Sequence, residues 1–208
     1  MKISSTIQSI LLITFIVIGN ISLAQKNTPL ELGAIIPLSE VLMTNVSDEK
    51  MSLINNFNEN GLLVVFSCNT CPFVVMWEDR YRQLEKMCKK NNVGMVYINS
   101  NEAKRVGDDS LEAMKDYAKN MDYTFPYLVD QKSEVANAFG AKTTPHTYLF
   151  NKNKKLVYKG AIDDNFRDIS KVNETYLLNA IEQMVSGKDI KIKETKAKGC
   201  SIKRELKN

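Results

Sequence analysis

Two cysteines three positions apart, Cys68 and Cys71, are the residues of this 208-residue chain with the clearest capacity for chemistry. They follow a continuous apolar run, 62–66 (LLVVF), and Pro72 comes directly after them. Such a run predicts a strand buried on both faces, and proline is favoured at the first position of a helix. A helix start carries unpaired N–H groups and partial positive charge, which stabilise a thiolate, the reactive species in disulfide exchange. The spacing therefore predicts a dithiol in which one cysteine attacks a partner's disulfide and the other releases the partner.

A second candidate segment is 143–146 (TTPH), which precedes a predicted hairpin. Cis bonds make up only about 5–6% of X–Pro bonds, but the hairpin and the distant cysteine pair together favour one between Thr144 and Pro145. His146 is the one histidine of the chain, and we interpret it as a polar loop residue beside the site. The alternative is that its imidazole faces the cysteines.

The two remaining cysteines carry weaker signals. Cys88 falls on the apolar face of the helix predicted after Pro72, so we interpret it as a buried structural thiol. Cys200 lies in a Gly-Cys-Ser turn, where the sequence favours a structural role; the alternative is a third redox thiol that returns to the site. Four cysteines in a domain of this size indicate a redox or metal site rather than a disulfide scaffold.

Alternating strand and helix patterns would position these residues. Beyond 62–66, strands are predicted at 41–44, 93–98, 126–129, 147–151 and 155–158, the last two forming the hairpin. Helices are predicted from Pro72 through Phe73, Trp77, Tyr81, Leu84 and Cys88, after a capping box of Asp109 and Glu112, at 132–139, and at 174–186. This order indicates an α/β fold with a mixed central sheet flanked by helices on both faces.

The N-terminal segment 1–24 predicts a cleavable signal peptide. Lys2 precedes a short apolar stretch, 10–18 (ILLITFIVI), and the small residues Ser22 and Ala24 stand at the −3 and −1 positions of the expected cut. The stretch is shorter than the roughly 20 apolar residues of a membrane span, with an uncleaved anchor as the alternative. We therefore expect an exported protein, periplasmic or otherwise extracytoplasmic.

The remaining chain divides into a predicted redox domain, 25–186, and a basic C-terminal tail, 187–208. The tail has eight basic and three acidic residues, whereas the whole chain has a net charge of +4. We expect a solvated segment; the alternative is that it steers an acidic partner or touches anionic lipid. Nothing else in the composition points to nucleic acid.

The sequence resembles the thioredoxin superfamily, and more closely the peroxiredoxin-like redoxins of the AhpC/TSA type that carry a cysteine pair. The resemblance runs from about Gly33 to Arg204 and is carried by 65–74 (VFSCNTCPFV), 97–101 (YINSN), 125–130 (FPYLVD), 144–145 (TP), 158–164 (YKGAIDD) and 199–203 (GCSIK). It implies a thioredoxin fold, a redox role for Cys68 and Cys71, and a cis proline, Pro145, facing the pair. It supplies no substrate, and we expect no cofactor.

The resemblance leaves the attacking cysteine open. If Phe66 matches the strand phenylalanine of thioredoxins, Cys71 takes the nucleophile's position and Val74 replaces their second cysteine. If the two cysteine pairs are overlaid directly, Cys68 is the nucleophile. The physical argument favours Cys71, because Pro72 makes it the predicted N-cap, closest to the helix dipole.

Two departures from the family pattern bear on function. Thioredoxins bury an acidic residue near the pair, but the corresponding positions here, Leu62 or Val65, are apolar, so the proton acceptor is unidentified. The upstream Pro and Thr of peroxidatic sites are also missing, which weakens the case for direct peroxidase chemistry.

Three hypotheses follow. The leading one is an exported thiol–disulfide oxidoreductase whose partners are protein thiols or disulfides and an upstream redox donor, with membrane contact only through an uncleaved N-terminal segment. The second is a thiol peroxidase using Cys71, with Cys68 or Cys200 resolving. The third is a non-enzymatic copper-binding module with Cys68, Cys71 and His146 as ligands, since thiolates and imidazole suit copper.

Overall fold

A computed structural model describes residues 28–205, so the predicted signal peptide at 1–24 lies outside the described residues. The strands are β1 (Met43–Asn45), β2 (Lys50–Met51), β3 (Gly61–Ser67), β4 (Val93–Asn99), β5 (Tyr127–Val129), β6 (Thr143–Thr144), β7 (His146–Asn151), β8 (Leu156–Gly160) and β9 (Cys200–Ser201). The α-helices are α1 (Pro72–Lys90), α2 (Leu111–Asn120), α3 (Glu134–Phe139) and α4 (Tyr176–Val185).

Seven strands form the central sheet in the order β2-β1-β5-β4-β3-β7-β8. The middle strands β3, β4 and β5 run parallel, whereas β7, β8 and β1 are antiparallel to their neighbours. All seven residues of β3 and of β4 are buried, as their continuous apolar runs predict. The mixed sheet confirms the prediction from the strand–helix order, and the architecture is the thioredoxin fold.

The two faces of the sheet are covered by different helices. Leu63 and Val65 of β3 pack in one apolar cluster with α1, α2 and α4, and Leu62, Val64 and Phe66 pack in a second cluster with α3. This alternation follows from the two-residue period of a strand. Helices therefore lie on both faces, as the sequence predicts.

Helix α1 follows the sequence prediction closely. Its buried face consists of Val74, Trp77, Arg80, Tyr81, Leu84 and Cys88. Phe73, expected on this face, is only partly buried, and Val74 takes its place in the core. Pro72 is at the start of the helix and Cys71 is its N-cap residue, as predicted.

The predicted capping box of α2 is wrong. Ser110, not Asp109, is the N-cap residue, and its hydroxyl accepts a hydrogen bond from the Ala113 N–H at 3.2 Å. Because Ser110 occupies that position, Asp109 is free to turn inward, and it is fully buried. The helix predicted at 132–139 begins two residues later, at Glu134, because Lys132 and Ser133 both have positive φ.

The basic C-terminal segment contacts the domain at a few positions. Ile190 and Ile202 are buried, and the Thr195 hydroxyl lies 2.9 Å from the Tyr158 hydroxyl. Strand β9 pairs antiparallel with β6 in a separate two-stranded sheet. The lysines from 188 to 203 are exposed, as expected for a solvated segment, but the buried side chains of Ile190 and Ile202 anchor the segment to the domain.

Between residues 28 and 205, no helix combines the length and apolar character needed to cross a membrane.

Candidate active site

The loop between β3 and α1 places Cys68 and Cys71 where a buried strand ends and a helix begins. The exposed fractions of the two residues are only 2% and 4%, respectively. Cys71 has extended backbone angles, and its carbonyl accepts the first intrahelical hydrogen bond, from the Val75 N–H at 3.1 Å. Its position is therefore that of a residue whose side chain borders the positive end of the helix.

The segment around Pro145 contacts both cysteines. The Thr144–Pro145 peptide bond is cis, which confirms the prediction from the sequence. The Cys68 Sγ lies 3.3 Å from the Thr144 Oγ1, and the protonated Cys71 thiol donates to the Thr144 carbonyl oxygen at 3.3 Å. Thr144 lies more than seventy positions from the pair in sequence, yet it contacts both sulfurs.

The surroundings of the two thiols drive their pKa values in opposite directions. The pKa of Cys71 is lowered to about 5, chiefly because Cys68 acts as a hydrogen-bond donor to it. Burial raises this pKa, whereas Cys200 and the Val74 N–H lower it further. The pKa of Cys68 is strongly raised, first because its thiol donates to Cys71 and second because it is buried. The arrangement favours one thiolate, on Cys71, stabilised by a neutral Cys68 thiol.

Cys200 is brought to the same site by β9. In the β6–β9 pairing Cys200 lies opposite Thr144, and it packs against the apolar cluster that contains Cys68 and Cys71. Burial, followed by its interaction with Cys71, raises the pKa of Cys200. Cys200 is more exposed than either member of the pair. The segment therefore folds back to the site, which is the placement that the alternative of a third redox thiol requires; the role of Cys200 stays a prediction.

Cys88 takes no part in this cluster. It is buried near the C-terminal end of α1, and burial raises its pKa to about 12. Its surroundings are those of an inert core thiol, as its place on the apolar helix face predicts.

A buried carboxylate adjoins the pair, but from an element that the sequence did not indicate. Asp109 Oδ1 accepts hydrogen bonds from the Asn69 N–H at 2.9 Å and the Asn99 Nδ2 at 2.7 Å. Asp109 Oδ2 accepts from the Asn101 Nδ2 at 2.9 Å. The charge of Asp109 contributes to the raised pKa of Cys68. The thioredoxin pattern points to Leu62 or Val65 for a buried acid, whereas here it comes from the loop before α2.

Asn69, inside the cysteine pair, is a further site residue that the sequence analysis missed. Its side-chain oxygen accepts from the Tyr127 hydroxyl at 2.9 Å, and its Nδ2 donates to the Asp108 carbonyl at 2.8 Å. The loop bearing the cysteines is therefore held by three contacts through one residue. An Asn between two cysteines is an ordinary turn residue, so the sequence offered no signal for this role.

His146 lies on the other face of the sheet. It pairs with Phe66 across the β3–β7 ladder, and its ring is 4.5 Å, centroid to centroid, from that of Tyr148. Phe66 and Tyr148 belong to the cluster under α3, whereas Cys68 and Cys71 belong to the other. Nowhere in residues 28–205 are three or more His, Cys, Asp or Glu side chains grouped to hold a metal ion. The copper hypothesis with Cys68, Cys71 and His146 as ligands is therefore wrong for this arrangement.

Comparison with known proteins places this site in a family. Residues 33–159 match the family model described as AhpC/TSA family. An uncharacterized conserved protein from Geobacillus kaustophilus is 32% identical, with 86% of this chain and 94% of that chain covered and a TM-score of 0.78. A hypothetical protein from Sinorhizobium meliloti 1021 is 29% identical, with 86% and 98% covered and a TM-score of 0.79.

A curated relative adds a shorter match. The thiol-disulfide oxidoreductase ResA of Geobacillus thermodenitrificans is 31% identical over 74 residues, which are 36% of this chain. The match spans only 38% of that relative's length.

Proposed function

The chain belongs to the AhpC/TSA family, and from this premise we propose that it is a thiol–disulfide oxidoreductase that uses Cys68 and Cys71 to exchange disulfides with protein partners. The observation that carries the proposal is the placement of two buried thiols at the start of α1, where each sulfur lies 3.3 Å from an atom of Thr144. The interaction with Cys68 lowers the pKa of Cys71 to about 5. A thiolate at neutral pH with a second thiol in contact is what disulfide exchange requires.

In the proposed reaction Cys71 is the attacking thiol. Its thiolate attacks one sulfur of a partner's disulfide, which forms a mixed disulfide on Cys71 and releases the other partner sulfur as a thiolate. Cys68 then loses its proton and attacks the Cys71 sulfur, so that a Cys68–Cys71 disulfide forms and the partner leaves fully reduced. The two released partner thiolates take up protons, one of them from Cys68. The partner disulfide gains the two electrons that the pair loses.

Thr144 and Pro145 complete the proposed site on the side of the partner. The Thr144 hydroxyl lies 3.3 Å from the Cys68 sulfur, and its carbonyl oxygen lies 3.3 Å from the Cys71 sulfur, so this residue positions the two thiols before Cys71 ionises. We place Thr144 as a positioning residue, because its contacts are with the reacting sulfur atoms of this chain.

The setting of the reaction is part of the same proposal. The predicted signal peptide at 1–24 supports export to a periplasmic or other extracytoplasmic space, with a redox domain at 25–186 followed by 187–208. Partners would be protein thiols or disulfides and an upstream donor that reduces the pair. The direction of electron flow is set by the reduction potential of the pair relative to that donor.

The test isolates the pair in a Cys200→Ser background of the mature chain. Equilibration with defined glutathione ratios, followed by mass-tagging of free thiols, is expected to give one two-electron couple in which Cys68 and Cys71 are lost together. With Cys68→Ser added, a glutathione adduct should accumulate on Cys71; with Cys71→Ser added, the couple should vanish.

Two results would contradict the proposal. One is that Cys68 and Cys71 never pair at any glutathione ratio. The other is rapid hydrogen peroxide consumption by the reduced protein with little exchange with protein disulfides, which would establish the thiol peroxidase instead. Cys88→Ser serves as the control, because that thiol lies outside the site and its replacement should leave the couple unchanged.

A further inference from the structure

Strand β9 covers the side of the site where β6 would otherwise present a free edge. β6 consists of Thr143 and Thr144, and β9 pairs with both, Ser201 opposite Thr143 and Cys200 opposite Thr144. Gly199 approaches so closely that an added Cβ would lie 2.1 Å from the Thr144 carbonyl oxygen. The C-terminal segment is therefore seated directly on the residue that contacts both active-site thiols.

The segment is fastened on the far side of Cys200. The Ile202 N–H donates to the Lys142 carbonyl at 3.0 Å, and the Arg204 guanidinium donates to the Ala141 carbonyl at 2.6 Å. Lys203 N–H donates to Asn101 Oδ1 at 2.8 Å. These bonds hold Cys200 at a fixed place beside the pair rather than on a free tail.

Asn101 connects this anchor to the loop that carries the cysteines. Its Nδ2 donates to Asp109, whose other oxygen accepts from the Asn69 N–H inside the pair. A single buried network therefore fixes both the cysteine loop and the C-terminal segment that carries Cys200.

We propose that Cys200 is a second resolving thiol, which forms a disulfide with Cys71 in alternation with Cys68. The inference rests on the proposed function, since it takes Cys71 as the sulfur that carries the mixed disulfide. The geometric basis is that paired strands hold Cys200 opposite Thr144, whose carbonyl oxygen lies 3.3 Å from the Cys71 sulfur, and that Cys200 packs against the apolar cluster containing Cys71.

The step balances without another reagent. In a mixed disulfide on Cys71, Cys200 loses a proton and its sulfur attacks the Cys71 sulfur; the Cys71–Cys200 bond forms and the bond to the partner breaks. The departing thiolate takes up a proton. The same attack on a Cys68–Cys71 disulfide is an internal exchange with no net electron transfer, and Cys68 then takes up the proton.

The partial exposure of Cys200 would make the Cys71–Cys200 disulfide accessible to an upstream reductant. The Cys68–Cys71 disulfide would be almost fully covered, whereas Cys200 is partly exposed. An upstream donor thiolate that reaches the Cys200 sulfur would expel Cys71, which is the better leaving group because a thiol of lower pKa leaves faster. The third thiol thus provides a route for reducing a buried pair.

The experiment compares Cys68→Ser with Cys68→Ser/Cys200→Ser in the mature full-length chain, using glutathione disulfide as the oxidant and peptide mapping of the products. Cys68→Ser is expected to form an intramolecular Cys71–Cys200 disulfide with loss of two free thiols and little glutathione adduct. The double variant is expected to lose only one free thiol and to accumulate the adduct on Cys71.

A matched control moves the third thiol by one residue. Successive strand residues point to opposite sides, so Cys68→Ser/Cys200→Ser/Ser201→Cys keeps the thiol count of the Cys68→Ser chain but turns the third sulfur away from Cys71. It should accumulate the glutathione adduct as the double variant does.

The inference is overturned if Cys68→Ser accumulates the adduct on Cys71 to the same extent as Cys68→Ser/Cys200→Ser. It also fails if the shifted thiol forms the disulfide as readily as Cys200, since the pairing register would then be irrelevant. Failure of the proposed function is separate: it appears as an inability of Cys68 and Cys71 to pair in Cys200→Ser alone.

Discussion

At the scale of single residues, the Cys71 thiol differs from its two neighbours in the hydrogen bonds that it accepts. Cys68 and Cys200 both present thiols to the Cys71 sulfur, and the Val74 N–H adds a backbone donor. Donors to the charged form stabilise it, whereas burial alone raises the pKa of a cysteine. Cys88 supplies the comparison within the same chain, because it is buried without such donors and its pKa is raised to about 12.

This contrast predicts the pH dependence of Cys71 alkylation. Because the thiolate is the reactive form and the pKa of Cys71 is about 5, the iodoacetamide rate should rise as the pH rises through that value and level off by neutral pH. Cys68→Ala removes the donor and should shift the inflection upward, towards the ordinary value of about 8.5.

Cys68→Ser is the matched control for that shift, since its hydroxyl remains able to donate to Cys71. Its inflection should stay nearer to that of the wild type than the inflection of Cys68→Ala does. Identical profiles for the wild type and Cys68→Ala, measured on Cys71 by mass spectrometry, would show that Cys68 does not set the pKa of Cys71.

Asp109 is the second residue whose surroundings yield a prediction. Its carboxylate accepts three N–H donors while fully buried, so Asp109→Asn would turn an amide N–H₂ towards at least one donor. An unsatisfied buried polar group costs about 1–3 kcal/mol. We expect a loss of that order in the free energy of unfolding by urea, together with a lower pKa of Cys68, because a nearby negative charge is removed.

Asp108→Asn provides the control for Asp109→Asn. The Asp108 side chain is 56% exposed and only its carbonyl oxygen contacts Asn69, so the substitution should leave both measurements close to the wild type. Equal destabilisation by the two substitutions would contradict the role given to the buried carboxylate.

At the scale of elements, the sequence predicted those features that depend on local periodicity. These features are determined by residues that are close together in the sequence. They are the continuous apolar runs of β3 and β4, the helical spacing of Trp77, Tyr81 and Leu84, and the polar turn of the β7–β8 hairpin. Strand β9 has two residues and no pattern of its own. It exists because β6, far away in sequence, presents an edge for it, and so the sequence did not reveal it.

The contact between β9 and β6 can be tested at Gly199. A Cβ there would lie 2.1 Å from the Thr144 carbonyl oxygen and 2.6 Å from its carbonyl carbon, both backbone atoms that cannot move aside cheaply. Gly199→Ala should therefore lift β9 from β6, and the backbone amide of Ile202, which donates to Lys142, should exchange with deuterium faster.

Gly107→Ala is the control, because the nearest atom to its added Cβ is 4.0 Å away. Hydrogen exchange at Ile202 should match the wild type in that variant. If exchange at Ile202 is also unchanged in Gly199→Ala, the close approach of the two segments is not as tight as the β6–β9 pairing requires.

At the scale of the whole molecule, the central sheet separates two chemical environments. The thiols, Asp109 and the α1 start lie together beside one apolar cluster, and His146 lies with Tyr148 beside the other. The sequence placed Pro145 beside the cysteines correctly. It could not decide on which side His146 would point, because that depends on the register of β7 against β3 rather than on the residue's distance from Pro145 in the sequence.

The separation leads to a prediction that combines stability and redox chemistry in one variant. Burial, followed by the charge of Lys159, lowers the pKa of His146 to about 4, below its unfolded value of about 6.5. The unfolded chain therefore binds more protons between these values, and the contribution of His146 to stability is present above about pH 6.5 and lost as the pH falls towards about 4. His146→Gln removes this titration, so the free energy of unfolding of the wild type should decline more steeply than that of the variant over this window.

The carboxyls with raised pKa values, Asp130 and Asp163, act in the opposite direction but are common to both proteins and cancel in the comparison. Urea titrations across the window measure the difference, and alkylation of Cys71 in the same samples should give one inflection for both proteins, because the sheet lies between the imidazole and the thiols. Parallel stability curves would contradict the lowered pKa of His146, and a shifted inflection for Cys71 would show that the two faces are coupled.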